Sequence, residues 1–177
     1  MNVSTVRFGD INIDESRIIR MAEGMLGFEH LKKYVLLISD DKNPFWWFQS
    51  IEDGDVAFVV ISSFAVKPDY TPVISDDNIK LLETAVPEDL ILLSAITIRH
   101  DPFKVTANLK APIVVNPARL LAKQVVLDES DYPVQYPVTD RKTIPKDKKN
   151  TSERKRIPSD FFTKLNSQER KDHLAAV

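Results

Sequence analysis

The chain has 177 residues, 43% of them apolar, enough for one domain with a substantial core. It contains no cysteine, which excludes disulfides and thiolate metal sites, and no apolar run nears the roughly 20 residues of a membrane span. The net charge of −2 conceals a partition: residues 1–140 carry 13 Lys/Arg against 21 Asp/Glu, a balance of −8, while residues 141–177 carry 11 against 5, a balance of +6.

The first residues, Met1 to Arg7, have neither a basic n-region nor an apolar h-region, so a cytoplasmic protein is expected. Thr5 to Ile13 alternates apolar and polar residues across Gly9-Asp10, the pattern of a half-buried hairpin turning at that pair. Arg17 to Arg20 is a short strand candidate. Gly24 and Gly27, three apart, predict a tight bend; they lack the third glycine and the strand-then-helix setting of a dinucleotide fingerprint. One helical turn is expected over Glu29 to Lys33, then a buried strand over Tyr34 to Ile38, stopped by the turn residues Ser39 to Pro44.

Phe45-Trp46-Trp47-Phe48-Gln49-Ser50 holds both tryptophans. In a strand, Phe45, Trp47 and Gln49 share one face and Trp46, Phe48 and Ser50 the other, so both faces meet apolar matter. One face belongs to the core; the other meets either a second layer or a partner, since tryptophan and tyrosine are favoured at interfaces. Ile51 to Asp55 is a turn, and Val56 to Ile61 the next central strand. Phe64 to Pro72 reads as irregular. Ser75 caps a short helix through Leu82. Asp89 to Thr97 and Phe103 to Ala107 are strands.

Ile113-Val114-Val115 reads as a strand covered on both sides, with Pro112 at its start and Asn108 and Asn116 fixing its ends through local backbone bonds. Gln124 to Leu127 and Tyr132 to Val138 close the body. Some nine or ten short strands with turn signals between them indicate a compact barrel or sandwich. Beyond Asp140, residues 141–156 are polar and charged without apolar periodicity, which reads as a disordered linker. After Pro158, Ser159 with Phe161 and Leu165, then Asn166 with Glu169, offer two short helical stretches. The tail is therefore either a solubilising extension, a docking peptide for a groove on this protein or a partner, or a basic module that holds nucleic acid.

Catalytic chemistry is hard to find. His30, His100 and His173 lie far apart and without metal-ligand spacing. The carboxylates at Asp40-Asp41, Glu52-Asp53-Asp55 and Asp76-Asp77 fall in predicted turns, where aspartate serves the backbone. Asp53-Gly54-Asp55 begins like a calcium loop but lacks the remaining ligands. No enzyme, cofactor or metal is expected.

Several short pieces, in this order and spacing over about residues 5–136, resemble the flagellar assembly factor family, FliW. They are Gly24-Met25-Leu26-Gly27-Phe28-Glu29, Pro44 to Ser50, Asp55 to Val60, Asp69-Tyr70, Asn108 to Asn116 and Gln124 to Leu127. Three positions depart from the family pattern: Leu26 replaces a proline, Phe48 a leucine, and Ser62-Ser63 an Asp-Pro. The resemblance implies a β-barrel-like protein, and with the strand pattern the expectation is an all-β, mostly antiparallel, barrel-like domain over 1–140 with one or two short helices; the C-terminal tail, expected to be flexible or helical, lies outside the resemblance. It also implies a cytoplasmic protein that binds flagellin in a chaperone-like manner. It further implies binding to the RNA-binding translational regulator CsrA, relieving its repression of flagellin synthesis. The residues expected to meet partners are Phe45, Trp46, Trp47, Gln49, Asp53, Asp55 and Tyr70. The alternative is a nucleic-acid-binding module acting through the basic tail.

Overall fold

The computed structural model describes residues 1–38 and 44–138. Within them the chain forms β1 (Asn2–Thr5), β2 (Gly9–Asn12), β3 (Ile19–Met21), β4 (Lys33–Ile38), β5 (Trp46–Ser50) and β6 (Ala57–Ser62). Two short helices follow, α1 (Ser63–Val66) and α2 (Asp76–Leu81). The remaining strands are β7 (Ile91–His100), β8 (Phe103–Ala107), β9 (Ile113–Asn116), β10 (Leu121–Gln124) and β11 (Tyr136–Pro137).

Seven strands close on themselves in the order β7-β6-β5-β4-β3-β10-β9. Closure comes from β9 returning to β7, with Ile91 opposite Val115 and Leu93 opposite Ile113. All ring pairings are antiparallel except β3 with β10, which run parallel through Arg20–Leu121 and Met21–Ala122. The ten-residue β7 serves twice. Its first half belongs to the barrel, and Ile96–His100 forms a ribbon with β8, whose other edge carries β11. Closure leaves the ring strands no exposed edge.

Strand alternation sorts the side chains. Tyr34 and Leu36, Phe48, Val60, Ile91 and Leu93, Ile113 and Val115 fill the interior together with Ile19, Met21 and Ala122. Their neighbours face outward yet are buried too. Val35 and Leu37 lie under the β1–β2 hairpin with Val3, Phe8, Ile11 and Ile13. Leu92 and Val114 lie in a cluster with Tyr70, Leu82, Leu109, Val125 and Leu127. Ile113-Val114-Val115 is therefore apolar throughout because both sides of the strand are covered, as its composition indicated.

The local punctuation follows the side-chain chemistry. Asn108 Oδ1 accepts from Ala111 N at 2.9 Å, and Asn116 Oδ1 from Ala118 N at 3.0 Å, so each asparagine shapes one end of the β9 segment. Ser75 caps α2 by accepting from Asn78 N. Gly24 and Gly27 adopt φ of +79° and +83°. A Cβ on Gly24 would stand 2.8 Å from the Phe28 carbonyl oxygen, so the bend admits only glycine.

Four expectations are corrected. The first hairpin turns at Val6-Arg7-Phe8, not at Gly9-Asp10, with Thr5 paired to Gly9. Thr5 Oγ1 accepts from Phe8 N and donates to Gly9 O, and this turn delivers Phe8 into the outer cluster. Glu29 to Lys33 is not helical: a bridge between Met25 and Phe28 is followed by a second turn that sinks Leu31 into the core. The segment from Phe64 is not wholly irregular, since Ser63–Val66 makes one α-turn. The last ring strand is Leu121–Gln124, three residues earlier than expected; beyond it, Val125 N still bonds the carbonyl of Pro112 at 2.9 Å. Residues 39–43, within the turn expected over Ser39 to Pro44, lie outside the described residues, as do all readings made for the tail after Asp140.

Candidate partner-binding face

β5 crosses from the barrel into the loop Ile51–Asp55, and that crossing organises most of the candidate residues. Trp46 packs toward the interior cluster and Trp47 toward the outer one, each only partly covered. Trp47 lies beneath the hairpin turn. The Phe8 ring meets it edge-on at 5.8 Å and 77°, and the Arg7 guanidinium carbon stands 4.0 Å from its ring centroid. That cation–π stack is worth about 0.5–1 kcal/mol at an exposed position. Beside it Val6 is 80% exposed, an apolar side chain held up by a structured turn.

The loop that follows is built from polar side chains of the strand itself. Gln49, with no exposed surface, points its Nε2 at three carbonyls: Ser50 at 2.9 Å, Val56 at 3.0 Å and Gly54 at 3.3 Å. Ser50 Oγ accepts from the amides of Glu52 and Asp53, and Asp53 Oδ1 accepts from Asp55 N at 3.0 Å. Glu52 turns its carboxylate back to the amides of Lys32 and Lys33. Gly54 lies so close to β1 that a Cβ would fall 2.1 Å from the Ser4 carbonyl oxygen, and its own carbonyl accepts from Val6 N at 3.3 Å. Loop and hairpin turn therefore form one unit. What it displays is Val6, Arg7, the open part of Trp47, the partly covered Asp53 and the exposed Asp55.

Of the seven residues expected to meet partners, the structure brings Trp47, Asp53 and Asp55 to this face. Phe45, at 1% exposure, and Gln49 lie inside, and Gln49 holds the loop from there. Trp46 shares the strand but faces the interior cluster. Tyr70 belongs to a different cluster. It is buried, donates to the Leu109 carbonyl at 2.6 Å and packs edge-on against Tyr132 at 4.6 Å. Its hydroxyl is held well above the ordinary phenol range, first by burial and then by the neighbouring Tyr132. Beside it, the exposed Asp69 carboxyl is lowered chiefly by its hydrogen bond from Lys67 Nζ at 2.6 Å.

Sequence reasoning missed Val6 and Arg7, which it placed in a strand, and the bracing role of Glu52. The signal for the first pair was Phe8, whose bulk belongs inside and fixes the turn before it. Among the described residues, no group of three His, Asp or Glu side chains is arranged to hold a metal ion, and no helix is long and apolar enough to cross a membrane. Rigid display of an aromatic, a cation and carboxylates suits recognition of another macromolecule.

The sequence model of the family described as FliW protein matches residues 2–138. A flagellar assembly factor FliW from Syntrophus aciditrophicus (strain SB) is 52% identical over 138 residues, 78% of this chain and 87% of that protein. The protein of the same description from Geobacter sulfurreducens is 40% identical over 141 residues, covering 80% and 88%. A crystal structure of the flagellar assembly factor FliW matches with a TM-score of 0.71 at 33% identity, over 79% of this chain and 98% of that one.

Proposed function

Because the chain belongs to the FliW family of flagellar assembly factors, we propose that it is a cytoplasmic protein-binding regulator rather than an enzyme. It binds flagellin in a chaperone-like manner and binds the translational regulator CsrA, relieving repression of flagellin mRNA translation. Flagellin lost to secretion leaves more of the protein to antagonise the regulator. The observation that carries this reading is the braced loop Ile51–Asp55, which holds Asp53 and Asp55 next to the hairpin turn over Trp47, on a body with a balance of −8. An RNA-binding regulator presents basic surface, and opposite charge steers such a partner to its site while disfavouring nucleic acid.

The test is surface-based binding of the full chain to purified CsrA and to flagellin, separately and in competition. Both are expected to bind at micromolar concentration or tighter, with flagellin altering the CsrA response. Asp53→Asn with Asp55→Asn keeps the side-chain shape and the acceptor for Asp55 N but removes two charges. It is expected to slow CsrA association several-fold and to leave the fold intact. Absence of binding by both proteins removes the reading.

A further inference from the structure

Beyond Ala95, where its pairing with β6 ends, β7 leaves the barrel and continues with β8 as a two-stranded ribbon that turns at Asp101-Pro102. On the far side of β8, the pairing with β11 reaches only Thr106, followed by one bond from Val138 N to the Val105 carbonyl at 3.0 Å. Among the described residues the tip therefore has no strand on either side, and all six residues from Arg99 to Lys104 are exposed.

Register sorts their side chains between two faces. Ile98 stands opposite Val105 and His100 opposite Phe103 on one of them. Val105 is buried and Ile98 half-buried, while Phe103 is 58% exposed with its ring 6.5 Å from that of His100. Phe103 is the one aromatic residue among the exposed large hydrophobic side chains of the described residues. On the other face Arg99 stands directly opposite Lys104, and neither makes an ion pair with a described residue. Two cations opposite each other on adjacent strands repel, so stability alone favours a carboxylate at one of these positions. The ribbon is also a local reversal of charge. Residues 96–107 hold Arg99 and Lys104 against Asp101, a balance of +1 on a body whose total is −8.

A tip with an aromatic, apolar face and a cationic face is complementary to a cleft with one apolar wall and one carboxylate-bearing wall. A basic surface is repelled by Arg99 and Lys104, and a long polyanion such as RNA is repelled by the rest of the body. A short acidic stretch of protein meets only the tip.

We propose that the tip of the β7–β8 ribbon, Arg99 to Lys104, is a second recognition element that inserts into an acidic, apolar-lined site of a partner protein. Phe103 seats against the apolar wall, and Arg99 and Lys104 meet the carboxylates. This rests on the protein-binding reading above and divides its partners between two surfaces: the acidic β5 face steers the basic regulator, and the ribbon takes flagellin.

Surface-based binding of the full chain to unpolymerised flagellin and to CsrA is compared among the unaltered protein, Lys104→Glu and Phe103→Ser, with urea unfolding of each. Lys104→Glu sets a carboxylate opposite Arg99. It is expected to unfold at the same or a higher urea concentration and yet to bind flagellin at least tenfold more weakly, a combination that a structural role for Lys104 does not produce. Phe103→Ser, at an exposed position, is expected to keep the urea midpoint and to lose tenfold or more in flagellin affinity. CsrA affinity should change less than twofold in both. Undiminished flagellin affinity in either variant overturns the proposal and leaves the protein-binding reading standing. So does an equal loss toward flagellin and CsrA. Loss of retention on poly(U) in both variants, with flagellin affinity unaltered, overturns it in favour of nucleic acid. Failure of the unaltered protein to bind flagellin removes the reading on which the proposal stands, and the proposal with it.

Discussion

Gln49 is a polar side chain in a place that strand alternation reserves for apolar ones, and its position makes sense only through the loop it serves. Its amide nitrogen, with two hydrogens, is shared among three carbonyls, while its Oε1 has no partner. Replacing it with leucine keeps the volume but removes the buried side-chain donor, while Val56 O keeps its bond from Ser50 N and Gly54 O its bond from Val6 N. The expected cost is about 1–2 kcal/mol, that of losing one buried amide donor. Urea unfolding of Gln49→Leu measures this, and a loss under about 0.5 kcal/mol means that the loop is held otherwise. Tyr34 predicts the opposite sign. Its ring stacks on Phe48 at 4.4 Å inside the barrel, but its hydroxyl has no partner. Tyr34→Phe removes an unsatisfied buried group and is expected to be neutral or stabilising by up to about 1 kcal/mol at pH 7. Burial, and then the charge of Glu52, raise this phenol from 10.0 to about 12. The native state thus favours the neutral form. That contribution is complete below pH 10 and is lost as pH rises through about 12, so Tyr34→Phe should flatten part of the alkaline limb of stability against pH. An unchanged limb would be inconsistent with the raised value. Residue by residue, what was legible was short-range: Asn108 Oδ1, Asn116 Oδ1 and Ser75 Oγ bond within three residues of themselves, whereas the Asn116 Nδ2 bond to the Leu82 carbonyl spans 34 residues. Gln49 and Ser50 were visible as a motif, but their partners are set by the path of the loop, which no local rule supplies.

Among the elements, the β1–β2 hairpin shows where pattern and packing part. Alternation from Thr5 to Ile13 announced a hairpin and Gly9-Asp10 a two-residue turn. The observed three-residue turn wins because it places Phe8 against Trp47 and Val35 in the outer cluster, burying Phe8 to 5%. A one-residue change of register flips every side chain, so a single large anchor decides it. Phe8→Ala is expected to cost about 3–4 kcal/mol, in the range for a phenylalanine lost from a core. It should also release Trp47 to solvent. In a Trp46→Phe background, tryptophan emission should shift to the red before the barrel unfolds, and unchanged emission would mean the hairpin does not depend on this contact. Gly54→Ala tests the other side of the unit. Its methyl cannot coexist with Ser4 O at 2.1 Å, so hairpin and loop must part. Destabilisation of about 1–3 kcal/mol is expected from such overpacking, together with loss of partner contact at the β5 face.

At the scale of the molecule, the strands announced themselves but the closure did not. Buried runs such as Ile113-Val114-Val115 require cover on both sides, which a barrel with outer clusters and a sandwich both supply. The return of β9 to β7 and the parallel pairing of β3 with β10 join residues far apart in sequence, and neither carries a turn signal. Charge, in contrast, was fully readable in advance, and it yields the broadest prediction. A body with a balance of −8 attracts a basic partner over a distance set by ionic screening. The screening length falls from about 30 Å at 0.01 M salt to about 10 Å at 0.1 M. On the proposed reading, contacts at the Trp47–Arg7–Val6 surface and the braced loop set the dissociation rate, and short-range contacts are screened little. Stopped-flow measurement of CsrA binding should therefore show an association rate that falls at least about tenfold between 0.02 and 0.3 M salt, with dissociation changing less than about threefold. Restoring the low-salt rate at high salt is not expected from any apolar substitution at Val6, whereas neutralising Asp53 and Asp55 should flatten the salt dependence. An association rate indifferent to salt would make the acidic body a solubility feature and transfer the whole of recognition to the aromatic and apolar part of the face.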